Sequence, residues 1–439
     1  MSLVADQLAF RHALGGGVGP VNLVIPAGQR VVLCSKSGGG KSTLLRALGG
    51  LVLRHRTGLL RGRVTVSGQD PAALSLPARA ASIGFVPQEP WDSFVCGTLG
   101  DEVAFGWLAV GGPREQRAER VASALNAVGL GHIELTRSPM ALSGGEMMRL
   151  AIAAALVHQP RWLLLDEPLA SADARSVRLL LALLSQLAEN GTSVVLAEHR
   201  LDWVLGWADR VVVLQGGEVV ADGPVDRRDL ASRALVDCPL PTPRGRPVSG
   251  RLLLRFRGPL SRGTVQGSVS VDIHEGERWF ILGMNGAGKS TLLAALVAGT
   301  TVPVVEVPQD ADLALCGSDV EDEVPDNAVR QAIRLTGLGG RPTLALSRGE
   351  RVRCAVGSAL TAGAQLLVLD EPTAGQDRDA VGLLFVAAER FGPTTWLVAT
   401  HEVELAMVWA THLLVLGESA WVGTPEAFRA SPPSGWPHV

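Results

Sequence analysis

Two apolar runs of the same kind mark the chain. RVVLC at 30–34 and RWFIL at 278–282 are short, nearly continuous hydrophobic stretches, each entering a glycine-rich turn. Runs of this length predict strands buried on both faces. Beyond the turns, Ser42 to Leu48 and Ser290 to Val297 predict helices. Trp162 to Leu165 and Leu366 to Leu369 predict two more buried strands, each ending in an acid. Strand–helix alternation implies an α/β fold with a mainly parallel sheet. The most continuous apolar stretch, Leu179 to Leu187, lies between Arg178 and Glu189. It is far shorter than the roughly 18 residues a membrane helix needs, so no membrane span is predicted.

The pattern occurs twice because the chain repeats itself. SKSGGGKST at 35–43 answers GMNGAGKST at 283–291, and VPQ at 86–88 answers VPQ at 307–309. ALSGGE at 141–146, LLLDEP at 163–168 and AEH at 197–199 answer ALSRGE at 345–350, LVLDEP at 367–372 and ATH at 399–401. Five blocks in one order are an internal duplication. Lys41 to Gln88 spans 47 positions (88 − 41) and Lys289 to Gln309 only 20 (309 − 289), a loss of 27. Gln88 to Ser143 spans 55 (143 − 88) and Gln309 to Ser347 spans 38 (347 − 309), a further loss of 17. Residues 237–250, DCPLPTPRGRPVSG, hold four prolines and predict a linker. The expected domains are 1–236 and a shortened 251–439.

Composition narrows the class. The 439 residues are 47% hydrophobic and 19% charged, which is a folded and not a disordered composition. A net charge of −3 shows no basic excess, so no nucleic-acid partner is expected. The stretch Met1 to Ala9 carries Asp6 and no basic start, which does not match a signal peptide. Five scattered cysteines, Cys34, Cys96, Cys238, Cys316 and Cys354, are expected to be free thiols in a reducing compartment. Tyrosine is absent, so any aromatic stacking must use Phe, Trp or His.

The repeated blocks carry phosphate chemistry. In the loop of Asn285, Gly286, Ala287, Gly288, Lys289, Ser290 and Thr291, glycines let backbone N–H groups close around phosphate oxygens. The helix N-terminus adds positive potential. Lys289 is placed to reach the β- and γ-phosphates, and the Ser290 hydroxyl to reach Mg²⁺. The first loop, Ser37, Gly38, Gly39, Gly40, Lys41, Ser42 and Thr43, departs at Ser35, where an opening glycine is expected. If Ser35 has φ > 0 it costs on the order of 1 kcal/mol; at φ < 0 it costs nothing. Asp166 and Asp370 end strands, where an acid can hold the Mg²⁺ shell. Glu167 and Glu371 are placed to accept a proton from water.

This order of phosphate loop, glutamine, LSGGE-like block, LLLDEP and histidine resembles the nucleotide-binding domain of ATP-binding-cassette (ABC) proteins, over nearly the whole chain. The resemblance implies two tandem P-loop ATPase domains, each with a mainly parallel sheet core and a helical subdomain, using ATP and Mg²⁺. It implies an intramolecular pseudo-dimer with two composite sites. One joins Lys41, Ser42, Gln88, Asp166, Glu167 and His199 with Ser347 and Gly349. The other joins Lys289, Ser290, Gln309, Asp370, Glu371 and His401 with Ser143, Gly144 and Gly145. Gln88 and Gln309 would stand near both the metal and the attacking water, and His199 and His401 at the γ-phosphate. Arg348 replaces a glycine of the signature and either adds a donor toward phosphate or crowds it. Adenine would stack on His12 or Phe10 in the first half and on Phe256 in the second.

The stretch Gln88 to Gly106 resembles the ATPases of energy-coupling factor transporters and related cobalt and nickel importers. Pro90, Asp92, Thr98, Glu102, Val103, Ala104, Phe105 and Gly106 match their pattern. That branch implies integral membrane subunits as partners, a place on the cytoplasmic face of the cell membrane, and import of vitamins or transition-metal ions. Asp92, Asp101, Glu102, Asp310, Asp312, Glu321 and Asp322 are expected to form an acidic face suited to basic coupling helices. Because the second half is shortened, the two halves are expected to grip the membrane partner unequally. The alternative is a soluble twin-cassette ATPase acting on ribosomes or DNA.

Overall fold

The computed structural model describes residues 1–12, 16–36, 38–52, 58–170, 172–233, 235–236, 240–243, 250–260, 267–417, 419–433 and 436. Most of the expected linker, 237–239 and 244–249, and the loop residue Ser37 lie outside them. The chain forms two compact units, Met1–Asp237 and Cys238–Val439.

In the first unit, β1 (Ser2–His12) and β2 (Gly17–Pro26) precede β3 (Arg30–Cys34) and α1 (Lys41–Leu48). Next come β4 (Gly58–Val66), α2 (Leu76–Ala80), β5 (Ile83–Val86), α3 (Leu99–Ala109), α4 (Arg117–Ala127) and α5 (Gly144–Leu156). The rest is β6 (Trp162–Asp166), α6 (Ala174–Glu189), β7 (Ser193–Glu198), α7 (Leu201–Val204), β8 (Arg210–Gln215), β9 (Glu218–Gly223) and α8 (Arg227–Ser232). The main sheet runs β5-β6-β7-β3-β8-β9, parallel except for the β8–β9 pair. β6 and β7 are buried at every position, as strands covered on both faces must be. One face packs against α1 and a three-stranded antiparallel layer, β2-β1-β4, around Leu44, Leu45 and Leu48. The other packs against α3 to α6. On α6, Val177, Leu180, Leu183, Leu184 and Leu187 form one buried stripe at helical spacing, while Leu179 is exposed.

The second unit repeats this plan in fewer elements. It begins with β10 (Leu252–Leu260), β11 (Gly267–His274), β12 (Arg278–Gly283), α9 (Lys289–Ala298) and β13 (Val304–Val307). It continues with α10 (Val320–Glu323), α11 (Asn327–Ala332), α12 (Arg348–Thr361), β14 (Leu366–Asp370), α13 (Arg378–Phe391) and β15 (Thr395–Thr400). It closes with α14 (Val403–Trp409), β16 (His412–Leu416), β17 (Ala420–Gly423) and α15 (Pro425–Ala430). The sheet order, β13-β14-β15-β12-β16-β17, matches the first unit strand for strand. The 27-residue loss falls on the counterparts of β4 and α2, leaving a two-stranded β10-β11 layer. The 17-residue loss falls on the counterparts of α3 and α4, reduced from 11 residues each to the 4 of α10 and 6 of α11. Among the described residues no helix is long and apolar enough to cross a membrane.

Candidate functional site

Each phosphate loop joins a central strand to a helix whose first turn has no side-chain cap. Gly40 and Gly288, the N-cap positions of α1 and α9, have φ 96° and 93° and no capping hydrogen bond. A residue with a β-carbon is strained there, and the first N–H groups of each helix stay available to an anion. Gly38 and Gly286 also have positive φ, at 76° and 80°. Ser35 is absent from the positive-φ residues, so it carries no backbone strain. It is buried, and its Oγ donates to Lys36 O at 2.8 Å. Lys41 Nζ donates to Ser35 O at 3.3 Å, as Lys289 Nζ donates to Gly283 O at 2.8 Å.

The lysines also face the carboxylates that follow the strand acids. Lys41 Nζ lies 3.4 Å from Glu167 Oε1, and Lys289 Nζ lies 2.9 Å from Glu371 Oε1. His199 Nδ1 is 3.5 Å from Glu167 Oε2, and His401 Nδ1 is 2.9 Å from Glu371 Oε2. The Ser42 hydroxyl donates to Asp166 Oδ1 at 2.8 Å. The structure thus gathers the loop, the strand acids and the histidine within each half.

The glutamines differ. Gln88 Nε2 donates to Glu167 Oε2 at 2.9 Å. Gln309 is exposed, and among the described residues it makes no bond to Glu371.

Electrostatics separate the paired acids. Burial pushes Asp166 up to about 6, helped by the Glu167 charge. Burial also raises Asp370, against the Ser290 hydroxyl that favours its charged form. Burial acts upward on Glu167 too, but His199 and Lys41 outweigh it and hold the carboxyl near about 2. Glu371 is held near about 2 in the same way by His401 and Lys289. Burial opposes protonation of His199, yet the Glu167 charge outweighs it and raises the imidazole. Asp166 Oδ2 and Asp370 Oδ1 are buried without a hydrogen-bond partner. A buried acceptor left open beside a serine hydroxyl fits a hard oxygen-seeking cation such as Mg²⁺.

The signature residues sit at other helix ends. Ser143 and Ser347 are the N-caps of α5 and α12, each in a capping box with Glu146 or Glu350. The Ser143 hydroxyl donates to Glu146 Oε2 at 2.8 Å, so it is engaged locally and not held out as a free donor. Gly144 is exposed and Gly145 half-buried. Gly349 is buried, because a β-carbon there would lie 2.6 Å from Gly375 O. The stem of Arg348 lies along Gly375, 3.2 Å from a β-carbon built there, which places the arginine against its own half's loop after Glu371.

Of the three adenine-stacking candidates, one expectation changes. Phe10 is fully buried and has no open face for adenine. His12 stands edge-on to Phe10 with ring centroids 4.8 Å apart, and its Nε2 lies 3.0 Å from Thr43 Oγ1 beside the loop. Phe256 is half-buried on β10.

Of the seven acids expected to form an acidic face, six bond within their own domain and the side chain of Asp92 lies outside the described residues. Glu102 is buried and accepts the Val95 and Cys96 N–H groups. Asp101 pairs with Arg117, Asp312 with Arg351 and Glu321 with Arg330. Asp310 caps a short turn and Asp322 accepts the Ser318 N–H.

Sequence reasoning passed over Glu198. It is fully buried at the end of β7, and its oxygens accept the N–H groups of Leu169 and His199. The signal was present, as the difference between AEH and ATH in the two copies.

The ABC transporter family model matches residues 18–170 and 267–305. A Streptomyces coelicolor protein is 34% identical, covering 91% of this chain and 89% of its own. A Streptomyces avermitilis protein is 32% identical, covering 94% and 92%. Both carry the name "putative ABC transporter ATP-binding protein". Among solved structures, a model of ribosome-bound archaeal Pelota and ABCE1 covers 97% of this chain and 80% of that chain, with a TM-score of 0.70 and 21% identity, a likeness of fold.

Proposed function

The chain belongs to the ABC transporter family of ATPases and carries two fused cassettes, and we propose that it drives a membrane importer of the energy-coupling factor type. In this reading the two halves close head to tail over two ATP molecules. The loop amides of α1 and α9, with Lys41 and Lys289, hold the phosphates. Ser42, Asp166 and Gln88 would hold Mg²⁺ in one site and Ser290, Asp370 and Gln309 in the other, where it would neutralise phosphate charge. Ser347 and Gly349 complete the first site, and Ser143, Gly144 and Gly145 the second.

The ion pairs supply the switch. His199 and His401 first, and Lys41 and Lys289 after them, lie beside Glu167 and Glu371 and keep them poor bases. A γ-phosphate is a competing anion for each lysine. Drawing the lysine away relieves the glutamate of a neighbouring positive charge and raises its affinity for a proton from water.

The observation that favours a membrane partner is a groove of about 250 Å³ on the first half. Pro87, Phe94, Phe105, Gly106 and Ala154 line it, and Phe105 is 50% exposed at its edge. Glu102 shapes it by tying down the Val95–Cys96 backbone. The second half keeps the tie, with Glu323 accepting the Cys316 and Gly317 N–H groups. The chain then places Asp326 at the position of Phe105, as the cap of α11. The chain is read as a peripheral subunit on the cytoplasmic face, gripping its partner mainly through the first half. Vitamins or transition-metal ions are the cargo class.

The test is purification from detergent-solubilised membranes with identification of co-eluting integral proteins. Those proteins are expected with the native chain and are lost with Phe105→Glu. Recovery with ribosomes or DNA alone refutes the transport reading and selects the twin-cassette alternative.

A further inference from the structure

The two halves hold their candidate proton acceptors in the same strained backbone. Glu167 has φ 47° and Glu371 has φ 49°. A non-glycine residue there costs on the order of 1 kcal/mol or more and persists only where its surroundings hold it. In both halves the glutamate N–H bonds to the neighbouring strand, Glu167 to Ala197 O at 2.9 Å and Glu371 to Ala399 O at 2.8 Å.

Among the described residues, the first half fastens the far side of the turn from the neighbouring strand, whereas the second half fastens its turn from within, Gln376 Nε2 donating to Pro372 O at 2.6 Å. Glu198 Oε1 accepts the Leu169 N–H at 2.9 Å, two residues beyond Glu167. Glu198 Oε2 accepts the His199 N–H at 3.1 Å and stands 4.0 Å from His199 Nδ1. One buried carboxylate thus links the turn that carries Glu167 to the segment that carries His199. Hydrogen bonds to a carboxylate are charge-assisted and stronger than neutral ones. Burying that carboxylate is costly unless it is well bonded.

The second half shows that the turn forms without this link. Thr400 ends β15 where Glu198 ends β7, and its hydroxyl accepts the Glu402 N–H at 3.1 Å. Among the described residues, Thr400 makes no bond to the turn of Glu371, Pro372 and Thr373. The second half's turn thus forms without a counterpart of Glu198, held instead by Gln376.

We infer that Glu198 is a positioning residue of the first ATP site, a clamp that holds Glu167 and His199 at one spacing as nucleotide binds and leaves. The inference rests on the reading of Glu167 and His199 as the groups that face the attacking water. It gives the two sites different fastenings, with the difference built into the core and not into the loop that touches ATP.

The test uses the full chain carrying Glu371→Gln, so that hydrolysis reports the first site. Glu198→Thr, which installs the second half's own residue, is expected to lower the hydrolysis rate constant by about tenfold to a hundredfold, the scale of a small misplacement of reacting groups. KM for ATP and the unfolding temperature are expected to stay near the parent values. Glu198→Gln keeps one carbonyl acceptor for the Leu169 N–H and is expected to recover much of the rate. An unchanged rate in Glu198→Thr overturns the assignment. So does a loss that appears in KM or follows a fall in unfolding temperature, or a Glu198→Gln variant as slow as Glu198→Thr. Hydrolysis that persists with Glu167 and Glu371 both replaced by Gln, or that vanishes with Glu371→Gln alone, removes the underlying reading and the clamp together.

Discussion

Ser35 and Gly39 share one space in the first phosphate loop: a β-carbon on Gly39 would lie 2.4 Å from Ser35 Oγ and 2.5 Å from Ser35 Cβ. The second loop divides the same space the other way, with Gly283 and Ala287, where a β-carbon on Gly283 would lie 3.1 Å from Ala287 Cβ. Each loop admits one side chain at this place. The missing opening glycine of the first loop is thus matched by the extra glycine four residues on.

That pairing predicts a sign change. Gly39→Ala alone overfills the loop and is expected to destabilise the first unit by about 1–3 kcal/mol, the usual cost of overpacking. The double variant Ser35→Gly with Gly39→Ala copies the second loop and is expected to recover most of that loss. Thermal unfolding with and without ATP measures both. A double variant no better than Gly39→Ala would show that the two residues do not share the space.

The two glutamates are expected to be unequal. Glu371→Gln should lower steady-state ATP turnover more than Glu167→Gln, since the site receiving Arg348 in place of a signature glycine is the altered one. Loss of a general base costs about 10²–10⁴-fold at its own site. Matched losses in ATPase assays of the two variants reject the inequality.

Gln88 and Gln309 make a second unequal pair. Gln88 Nε2 holds Glu167 at 2.9 Å, whereas Gln309 is exposed. Gln88→Ala in the nucleotide-free chain removes a hydrogen bond to the Glu167 carboxylate, worth about 1.5–3 kcal/mol. It should lower the unfolding temperature of the first unit measurably, and Gln309→Ala should leave the second unit's unchanged. Calorimetry that finds the two variants alike contradicts the difference in contacts.

Asp166 gives a pH dependence with a definite sign. Its carboxyl is raised to about 6 by burial, above the ordinary range near 4. The folded chain therefore holds a proton there that the unfolded chain has released, and stability contributed by Asp166 falls as pH rises from about 4 through 6. Asp166→Asn, measured with a chelator present, is expected to be more stable than the parent at pH 8, by up to about 3 kcal/mol. The gain should shrink as pH drops below about 6. A gain independent of pH would place the raised carboxyl elsewhere.

The repeated blocks alone determined that the chain is two cassettes of unequal length, because each block is a local string whose chemistry depends on residue type and order. GAGKS before a helix makes an anion cradle wherever it folds, and an apolar strand ending in DE sets an acid beside it. The 27- and 17-residue losses were countable in advance, and the structure assigns them to the strand and helices that the second half lacks or shortens. What lay beyond reading was every relation through space, in the loops and across the sheet. The φ of Ser35, its shared space with Gly39, the burial of Phe10, the engagement of Glu102 with its own backbone and the clamp from Glu198 to Leu169 each join residues through space. The Ser35 and Glu102 relations are set by loop geometry; the clamp arises only when parallel strands align side by side, as β6 with β7 through Asp166 and Ala197. Strand register, a property of packing and not of local sequence, decides which carboxylate meets which amide.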